Sequence, residues 1–405
     1  MQLKSTLKQL IKNNPLYKDF IRPMRIRFKE KALARLDDES YFIKRHKKIF
    51  GYTPDFKNPQ TFNEKIIHRI LFDRNPIYTA LADKLKARIY IATTLQHFDT
   101  AHNTQDNIAY AAGGGGQPYS LNQNNIESHS KDSQEIQNLA SAQNTPKKSI
   151  PNQAVKILNS LLSKDSLLFQ PIDTLTQELF NTNSCPYLPK LYGIYKSVDE
   201  IDFSKLPQSF VLKTNHDCGG VVLVKDKESF LKDSKSFNEA MDKLTKHLST
   251  NYYHTSREWH YKDIEPRIFA EEMLGESVNG SIIDYKVHVV QNAISHIDVV
   301  TDRHTGQKEI AMDSKWHKMP FDYEKKATQI PQKPTMLDKM LDVSLLLAQA
   351  FKYVRVDLYC VEMNIYVGEL TFTSASGKDK FTPNEWDRKL GDLWDINTSL
   401  SRVES

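Results

Sequence analysis

The segment Tyr353–Thr373, YVRVDLYCVEMNIYVGELTFT, carries residue types suited to metal and phosphate chemistry at strand spacing. Two runs of β-branched and aromatic residues flank Glu362-Met363-Asn364, and Asn tolerates the left-handed position of a three-residue hairpin loop. With those residues as the loop, Val361 pairs with Ile365, and counting outward sets Asp357 opposite Glu369 and Arg355 opposite Thr371. Alternation by two puts Val354, Val356 and Leu358 on one face and Arg355, Asp357 and Tyr359 on the other. Carboxylates facing each other repel. A hard cation such as Mg2+, which takes one or two carboxylates plus substrate phosphates, relieves the repulsion. An Arg355 ion-pair network does so equally well, and a one-residue slip would turn Glu369 to the other face.

A second segment, FVLKTNHDCGGVVLVKD, runs a strand bearing Lys213 into a loop with Gly219 and Gly220 and out into another strand. Glycines let backbone N–H groups approach a phosphate, and lysine adds a compact charge. The Lys precedes the glycines and no helix follows, so this is not a Walker A loop; a plain hairpin with a surface lysine is the competing reading. His216 and Asp217 suit loop-stabilising hydrogen bonds, and Cys218 lacks an identifiable base. A third segment, RIFAEEMLG, ends a strand in Glu271 and Glu272 and is followed by DYKVHVV with Lys286. Such carboxylates can accept from ribose hydroxyls or an adenine amino group, or stand as ordinary exposed charges.

The elements that must position these residues begin at Cys185. FVLK, VVLVK, RIFAEEML, SIIDYKVHVV and SHIDVVT read as strands. Phe237, Ala240, Met241, Leu244 and Leu248 recur at helical spacing behind a Ser236/Glu239 capping box, and a second helix runs from about Thr335 to Phe351. This is α+β texture, antiparallel sheet covered by helices. Residues 1–95 read as a basic helical N-terminal region. Within it, Thr61 and Glu64 form a capping box for TFNEKIIHRILF, and Pro76 interrupts the pattern before IYTALADKLKARIYIATTL. Residues 96–183, rich in Asn, Gln, Ser and Thr, read as a mostly disordered insertion with a weak helix near AVKILNSLLSK; its Gly113–Gly116 run reads as linker. Residues 184–405 hold the chemistry.

Composition fits a globular protein, at 39% hydrophobic and 26% charged residues. No apolar run approaches the ~20 residues that span a bilayer, and the N-terminus lacks a signal-peptide pattern. The three cysteines, Cys185, Cys218 and Cys360, are far apart and suit a reducing compartment better than a disulfide framework. Residues 1–50 hold 14 Lys/Arg against 5 Asp/Glu, an excess of +9 that leaves −4 for the remainder of a chain whose net charge is +5. Attraction to anionic lipid or phosphate therefore belongs to this N-terminal arm, which reads equally as a solvated helix packed on the body.

In order along the chain, NPQTFNEKI, DRNPIYTALADK, PYLPKLYGIY, FVLKTNHDCGG, NYYHTSREWHYKDIEPRIFAEEML, DYKVHVV, VRVDLY, GELTFTSASG and FTPNEWDRKLGDL resemble the ATP-grasp superfamily. In detail they resemble its TupA-like branch, associated with teichuronopeptide and surface-polysaccharide synthesis. The resemblance covers almost all of the chain from Gly51 except the polar insertion. It implies two α+β lobes with antiparallel sheets around a nucleotide cleft, binding ATP and Mg2+. By position it implies phosphate contacts from Lys213 and Lys286, a Gly219–Gly220 loop over the phosphates, and Glu271 and Glu272 near adenine and ribose. It implies Asp357 and Glu369 as magnesium carboxylates. The superfamily's usual third ligand, an Asn two residues after the Glu, is here Thr371. Arg303 and Arg355 are candidates for gripping the substrate carboxylate or the phosphoryl charge, with structural ion pairing as their alternative.

The resemblance further implies a cytoplasmic carboxylate–amine ligase working through an acyl phosphate. A carboxylated sugar or glycan and an amine or amino acid are its implied substrates; nucleic acid is not implied. The basic arm would touch the inner face of the membrane. A nucleotide-sugar glycosyltransferase and a non-catalytic protein of the same pathway remain the alternatives.

Overall fold

In this computed structural model the described residues are 35–96, 98, 159–161, 163, 165–275, 282–301 and 306–397. The chain divides into two units, Met1–Phe56 and Lys57–Ser405. In the first, helix α1 (Asp38–Phe50) is capped by the Asp37 carboxylate, which accepts from the Ser40 amide at 2.8 Å, and ends at Gly51 with φ of 86°. Its Phe42 and His46 are buried, and the His46 ring packs against Phe50, Tyr52 and Phe56. The basic arm before Arg35 lies outside the described residues.

The second unit holds, in chain order, helices α2 (Phe62–Phe72), α3 (Ile77–Ala82), α4 (Lys84–Leu95) and α5 (Thr176–Asn181), strands β1 (Leu191–Tyr195), β2 (Phe210–Thr214) and β3 (Val221–Val224), and helices α6 (Lys227–Lys232), α7 (Ser234–Leu248) and α8 (Tyr253–Ser256). Strands β4 (Ile268–Glu272), β5 (Asp284–Val290), β6 (Ala293–Thr301) and β7 (Lys308–Met312) follow, then helix α9 (Leu337–Ala348), hairpin strands β8 (Tyr353–Val361) and β9 (Asn364–Thr371), and helix α10 (Glu385–Asp392). The strands form two antiparallel sheets, β1-β4-β2-β3 and β7-β6-β5-β8-β9. This is the expected α+β class with two antiparallel sheets.

Strand alternation decides which face of each sheet is core. Phe210, Leu212, Ile268 and Ala270 of the first sheet pack with Leu244 of α7. Val287, Val289, Ile297, Val299, Val354, Val356 and Leu358 of the second pack with Met340, Val343 and Leu347 of α9 and with Leu85 and Ile89 of α4. The residues between them in sequence, including Lys213, Glu271, Lys286, Arg355 and Asp357, therefore point to the opposite faces.

Helices α2–α4 belong to the body of this unit. The expected capping box is present: the Thr61 hydroxyl accepts from the Glu64 amide and the Glu64 carboxylate from the Thr61 amide, each at 3.2 Å. On the buried side of α2, the Arg69 guanidinium donates to the carbonyls of Tyr353 (2.8 Å) and Phe372 (3.0 Å), and Lys65 donates to those of Gly391 (2.8 Å) and Trp394 (2.6 Å). A helix within the region read as basic thus uses its charges to satisfy buried carbonyls at the ends of the hairpin strands and of a helix.

Two sequence expectations shift. The cap of α7 is Asp233, whose carboxylate accepts from the Lys235 and Ser236 amides, so the helix begins before the Ser236/Glu239 pair. Of the residues read as insertion, most, including the Gly113–Gly116 run, lie outside the described residues. Its last part is ordered, with Leu168, Ile172, Leu175 and Leu179 in the main core; a few apolar residues at helical spacing suffice once a sheet is there to receive them.

Asp387 of α10 accepts from the Asn63 amide at 2.9 Å, and burial holds its carboxyl up at about 6. Between the unfolded value and that level the folded chain binds the extra proton, so this group's contribution to stability falls as pH rises from 4 to 6. Asp387→Asn is expected to remove a pH-dependent component of up to about 3 kcal/mol. Chemical denaturation of both proteins at pH 4.5 and 7 measures it.

Candidate functional site

The hairpin of β8 and β9 turns on two residues, Glu362 (φ 49°) and Met363 (φ 66°), so Val361 pairs with Asn364 and the expected three-residue loop is one residue too long. Two left-handed residues in succession match the right-handed strand twist. Asp357 nevertheless faces Glu369, and Arg355 faces Thr371, as counted from the sequence. A one-residue irregularity restores the register: Leu358 pairs with Val367 and Asp357 with Glu369, leaving Gly368 as the extra residue. A Cβ at Gly368 would lie 2.7 Å from the Tyr359 ring, so the bulge suits glycine.

Across the sheet the pairing builds two polar rows on one face. In one row Asp298, Lys286, Asp357 and Glu369 are successive partners; in the next, His296, His288, Arg355 and Thr371. Arg355 grips Asp357 with two bonds, Nε to Oδ1 at 2.6 Å and NH2 to Oδ2 at 2.8 Å, and also reaches the hydroxyls of Thr371 (3.1 Å) and Ser374 (3.2 Å). Lys286 Nζ donates to Asp357 at 2.8 Å and lies 3.6 Å from Asp284. Burial pushes the Asp357 carboxyl up, but Arg355 and then Lys286 outweigh it and hold it well below the usual carboxylate range. The Thr371 hydroxyl donates to Glu369 at 2.9 Å. Among the described residues no cation lies within 4 Å of Glu369; Arg355 binds Asp357 directly and feels the charge of Glu369 only at longer range.

On the other sheet, Lys213 pairs with the buried Glu271, which also lies 3.7 Å from the buried Arg88. Glu272 points to the opposite face and accepts from the Lys190 amide at 3.1 Å. The loop after β2 is held from several sides. Asn215 bridges the Asp83 carboxylate (2.9 Å), the Glu265 carbonyl (3.0 Å) and the Arg267 amide (2.7 Å). Asp217 accepts from the Thr214 hydroxyl and contacts His247, and its carbonyl accepts from Lys84 at 2.5 Å. Gly219 has φ of 103°, and a Cβ on Gly220 would fall on the Thr214 hydroxyl. His216 and Asp217 therefore shape the loop, as expected.

The segment Tyr252–Tyr261 is close enough to both the glycine loop and the hairpin to feel their charges. The Tyr252 hydroxyl is pushed up by burial and then by the charges of Glu258, Cys218, Glu369 and Asp217, so one side chain feels both the glycine loop and the hairpin carboxylate. Tyr261, in ring contact with Tyr252 at 5.0 Å, is raised by burial, Glu258 and Glu369. Glu258 is anchored by the Thr373 hydroxyl just past β9.

A lysine-bearing strand entering a glycine loop, a second sheet presenting facing acids beside a lysine, and their order in the chain coincide with a match to the TupA-like ATP-grasp family over residues 184–395. The chain belongs to that family. ATP-grasp proteins are ATP-dependent ligases. Among solved structures, similarity extends to D-alanine–D-alanine ligase from Bacillus anthracis complexed with ATP (16% identity, TM-score 0.29, 55% of this chain and 62% of that one). It extends also to L-amino acid ligase from Bacillus licheniformis (15%, 0.30, 56% and 48%) and phosphoribosylamine–glycine ligase from Thermotoga maritima (12%, 0.29, 49% and 46%). The chain thus spans less than two thirds of each of these ligases. No curated protein matches.

In this TupA-like chain the fold brings Lys286, Arg355, Asp357, Glu369 and Thr371 onto one face of the second sheet, and Lys213 and Glu271 onto one face of the first. Glu272 is directed away from Glu271, and Arg303 lies outside the described residues. A groove of about 460 Å³ beside edge strand β1, lined by the ion-paired Asp173, Lys196 and Arg267, is separate from these residues. Sequence reasoning missed Arg88, whose charge lies within an apolar helix, and Glu258, anchored only by tertiary contact. It also missed His288, His296 and Asp298. Their alternation with Lys286 in DYKVHVV and with each other in ISHIDVV was a legible signal. Among the described residues no helix is long and apolar enough to cross a membrane.

Proposed function

We propose that this chain is an ATP- and Mg2+-dependent ligase that joins a carboxylate to an amine through an acyl phosphate. A carboxylated sugar or glycan of the bacterial cell surface is the proposed acid, an amino acid the proposed amine, and the cytoplasm the site of reaction. The observation that carries the reading is the direct opposition of Asp357 and Glu369 on neighbouring strands, with Lys286 beside Asp357 and no cation on Glu369 among the described residues.

The donors fit magnesium. Two carboxylates and the Thr371 hydroxyl are hard oxygen ligands on one face, and Glu369, with no cation within 4 Å among the described residues, is the type of group such an ion takes together with phosphate oxygens. Bound there, Mg2+ would supply charge neutralisation for the transferring phosphoryl group.

Lys213 and Lys286 place ammonium charges for the phosphates from the two sheets, and the backbone N–H groups at Gly219–Gly220 offer donors without side chains in the way. Arg355 keeps Asp357 ionised and oriented. Its contacts to Asp357, Thr371 and Ser374 support a positioning role over a grip on the substrate carboxylate. Tyr252 and Tyr261, in contact with each other and both feeling the charge of Glu369, would exclude water from the phosphates.

The test is a thermal-shift screen with ATP, ADP and nucleotide-sugars, each with and without Mg2+, followed by phosphate release in the presence of uronic acids and amino acids. Stabilisation by ATP only with Mg2+, together with phosphate release that requires both an acid and an amine, is expected. Stabilisation by a nucleotide-sugar and indifference to ATP would replace the ligase with a glycosyltransferase.

A further inference from the structure

The polar face of the second sheet continues past Lys286 into a cluster that the ligase reading does not use. His288 on β5 and His296 on β6 are cross-strand partners, and Asp298, two residues beyond His296, is on the same face as the partner of Lys286. All three are buried, and among the described residues they are the one group of three His, Cys, Asp or Glu side chains whose ligand atoms lie within 4.8 Å of one another.

Both histidines turn the same nitrogen inward. His288 Nε2 is 2.9 Å from Asp298 Oδ2, and His296 Nε2 is 3.5 Å from Asp298 Oδ1. The outer nitrogens are held from behind: His288 Nδ1 by the Tyr353 hydroxyl at 3.2 Å, His296 Nδ1 by the Ser295 hydroxyl at 3.0 Å. Metal-binding imidazoles are held in this way, with one nitrogen fixed by an outer partner and the other free for the ion. The Tyr323 hydroxyl donates to Asp298 Oδ1 at 2.9 Å and lies 3.4 Å from His296 Nε2, within reach of the same point.

We propose that His288, His296 and Asp298 form a structural site for a zinc-class transition-metal ion, separate from the facing acids of the hairpin. Two imidazoles and a carboxylate suit zinc, whereas magnesium prefers all-oxygen sites. The rings stack at 4.1 Å with 19° between their planes, so binding requires His288 to give up its Tyr353 bond and rotate until the ion lies in the plane of both, while Ser295 keeps His296 in place. Tyr323 would hold Asp298 as an outer partner, its hydroxyl donating to Oδ1, and a water would complete four-coordination. Burial leaves no position for a substrate, which makes the role structural. His288 is the strand partner of Arg355, so the ion would fix the row from which Arg355 grips Asp357.

The experiment uses the full chain, stripped with chelator and titrated with Zn2+ alone. Metal content, melting temperature and the visible absorption of a Co2+-substituted sample are read. One equivalent per chain, a raised melting temperature and intense tetrahedral Co2+ bands are expected. His296→Gln and Asp298→Asn are expected to lose all three, and Ser295→Ala to bind about 10–100-fold more weakly. Glu369→Gln is expected to retain them, which separates this site from the hairpin acids and from the ligase reading. If His296→Gln does not fold, the Ser295→Ala titration carries the test. Absence of stoichiometric zinc in the unaltered chain, an unchanged zinc response in Ser295→Ala and His296→Gln, or its loss in Glu369→Gln would overturn the proposal and leave a closed hydrogen-bond network.

Discussion

Asp357→Ala is expected to lower folding stability by about 3–5 kcal/mol, because it removes the shared counter-charge of Arg355 and Lys286 and leaves them only the more distant Glu369 and Asp284 in a buried setting. The Arg355 and Lys286 side chains are only 13% and 16% exposed, so water repays little of that cost. The Asp357 carboxyl titrates well below its unfolded value. Its stabilisation is therefore complete above about pH 5 and disappears only as strong acid protonates the folded carboxyl. The deficit of Asp357→Ala should be constant from pH 6 to 8 in urea titrations; a loss below about 1 kcal/mol would show the cluster to be solvated. Glu369→Gln separates stability from chemistry. With no ion-pair partner among the described residues, Glu369 should be replaceable at a cost within about 1 kcal/mol. Magnesium-dependent ATP turnover should nevertheless fall about 10²–10³-fold in both variants.

Lys213→Met is expected to lower ATP turnover by about 10²–10³-fold with little change in stability. The Lys213 side chain is 24% exposed, and Glu271 keeps the buried Arg88 as a second partner at 3.7 Å. Methionine preserves the packing of the aliphatic stem. Steady-state phosphate release and the melting temperature with and without Mg-ATP measure both parts. A variant that keeps its turnover would confine Lys213 to its ion pair with Glu271, and one that unfolds would make that pair structural.

How much of this was legible in the sequence differs between elements. Asp357 facing Glu369 was counted correctly from a loop that was miscounted. The turn uses two residues where three were expected, and the bulge at Gly368 restores the difference. Turn length and bulge are both decided by backbone conformation, and pattern alone shows only their sum. The Thr61–Glu64 box was legible because capping is local. The cap of α7 was misplaced because Asp233 and Ser236 are both competent caps three residues apart.

Some groups could not be read from local sequence. Nothing local to Arg69 and Lys65 shows that they meet the carbonyls of Tyr353, Phe372, Gly391 and Trp394, which arrive from about 280 or more positions later in the chain. The ordered end of the polar stretch, Leu168 to Leu179, lacks enough apolar surface to fold alone and gains order only against the core. Glu258 takes its position from Thr373, far along the chain.

The amino-acid sequence by itself determined the family, seven of the nine strands among the described residues and the shared face of Arg355 and Asp357, because motif order and a side-chain period of two are local properties. Only the tertiary structure decided which charges meet. It gave Asp357 to Arg355 and Lys286, left Glu369 without a direct ion pair among the described residues, joined Lys213 to Glu271, and closed His288, His296 and Asp298 into one cluster. Electrostatic pairing depends on distance across strands, and that distance exists only once register, bulge and sheet order are fixed together.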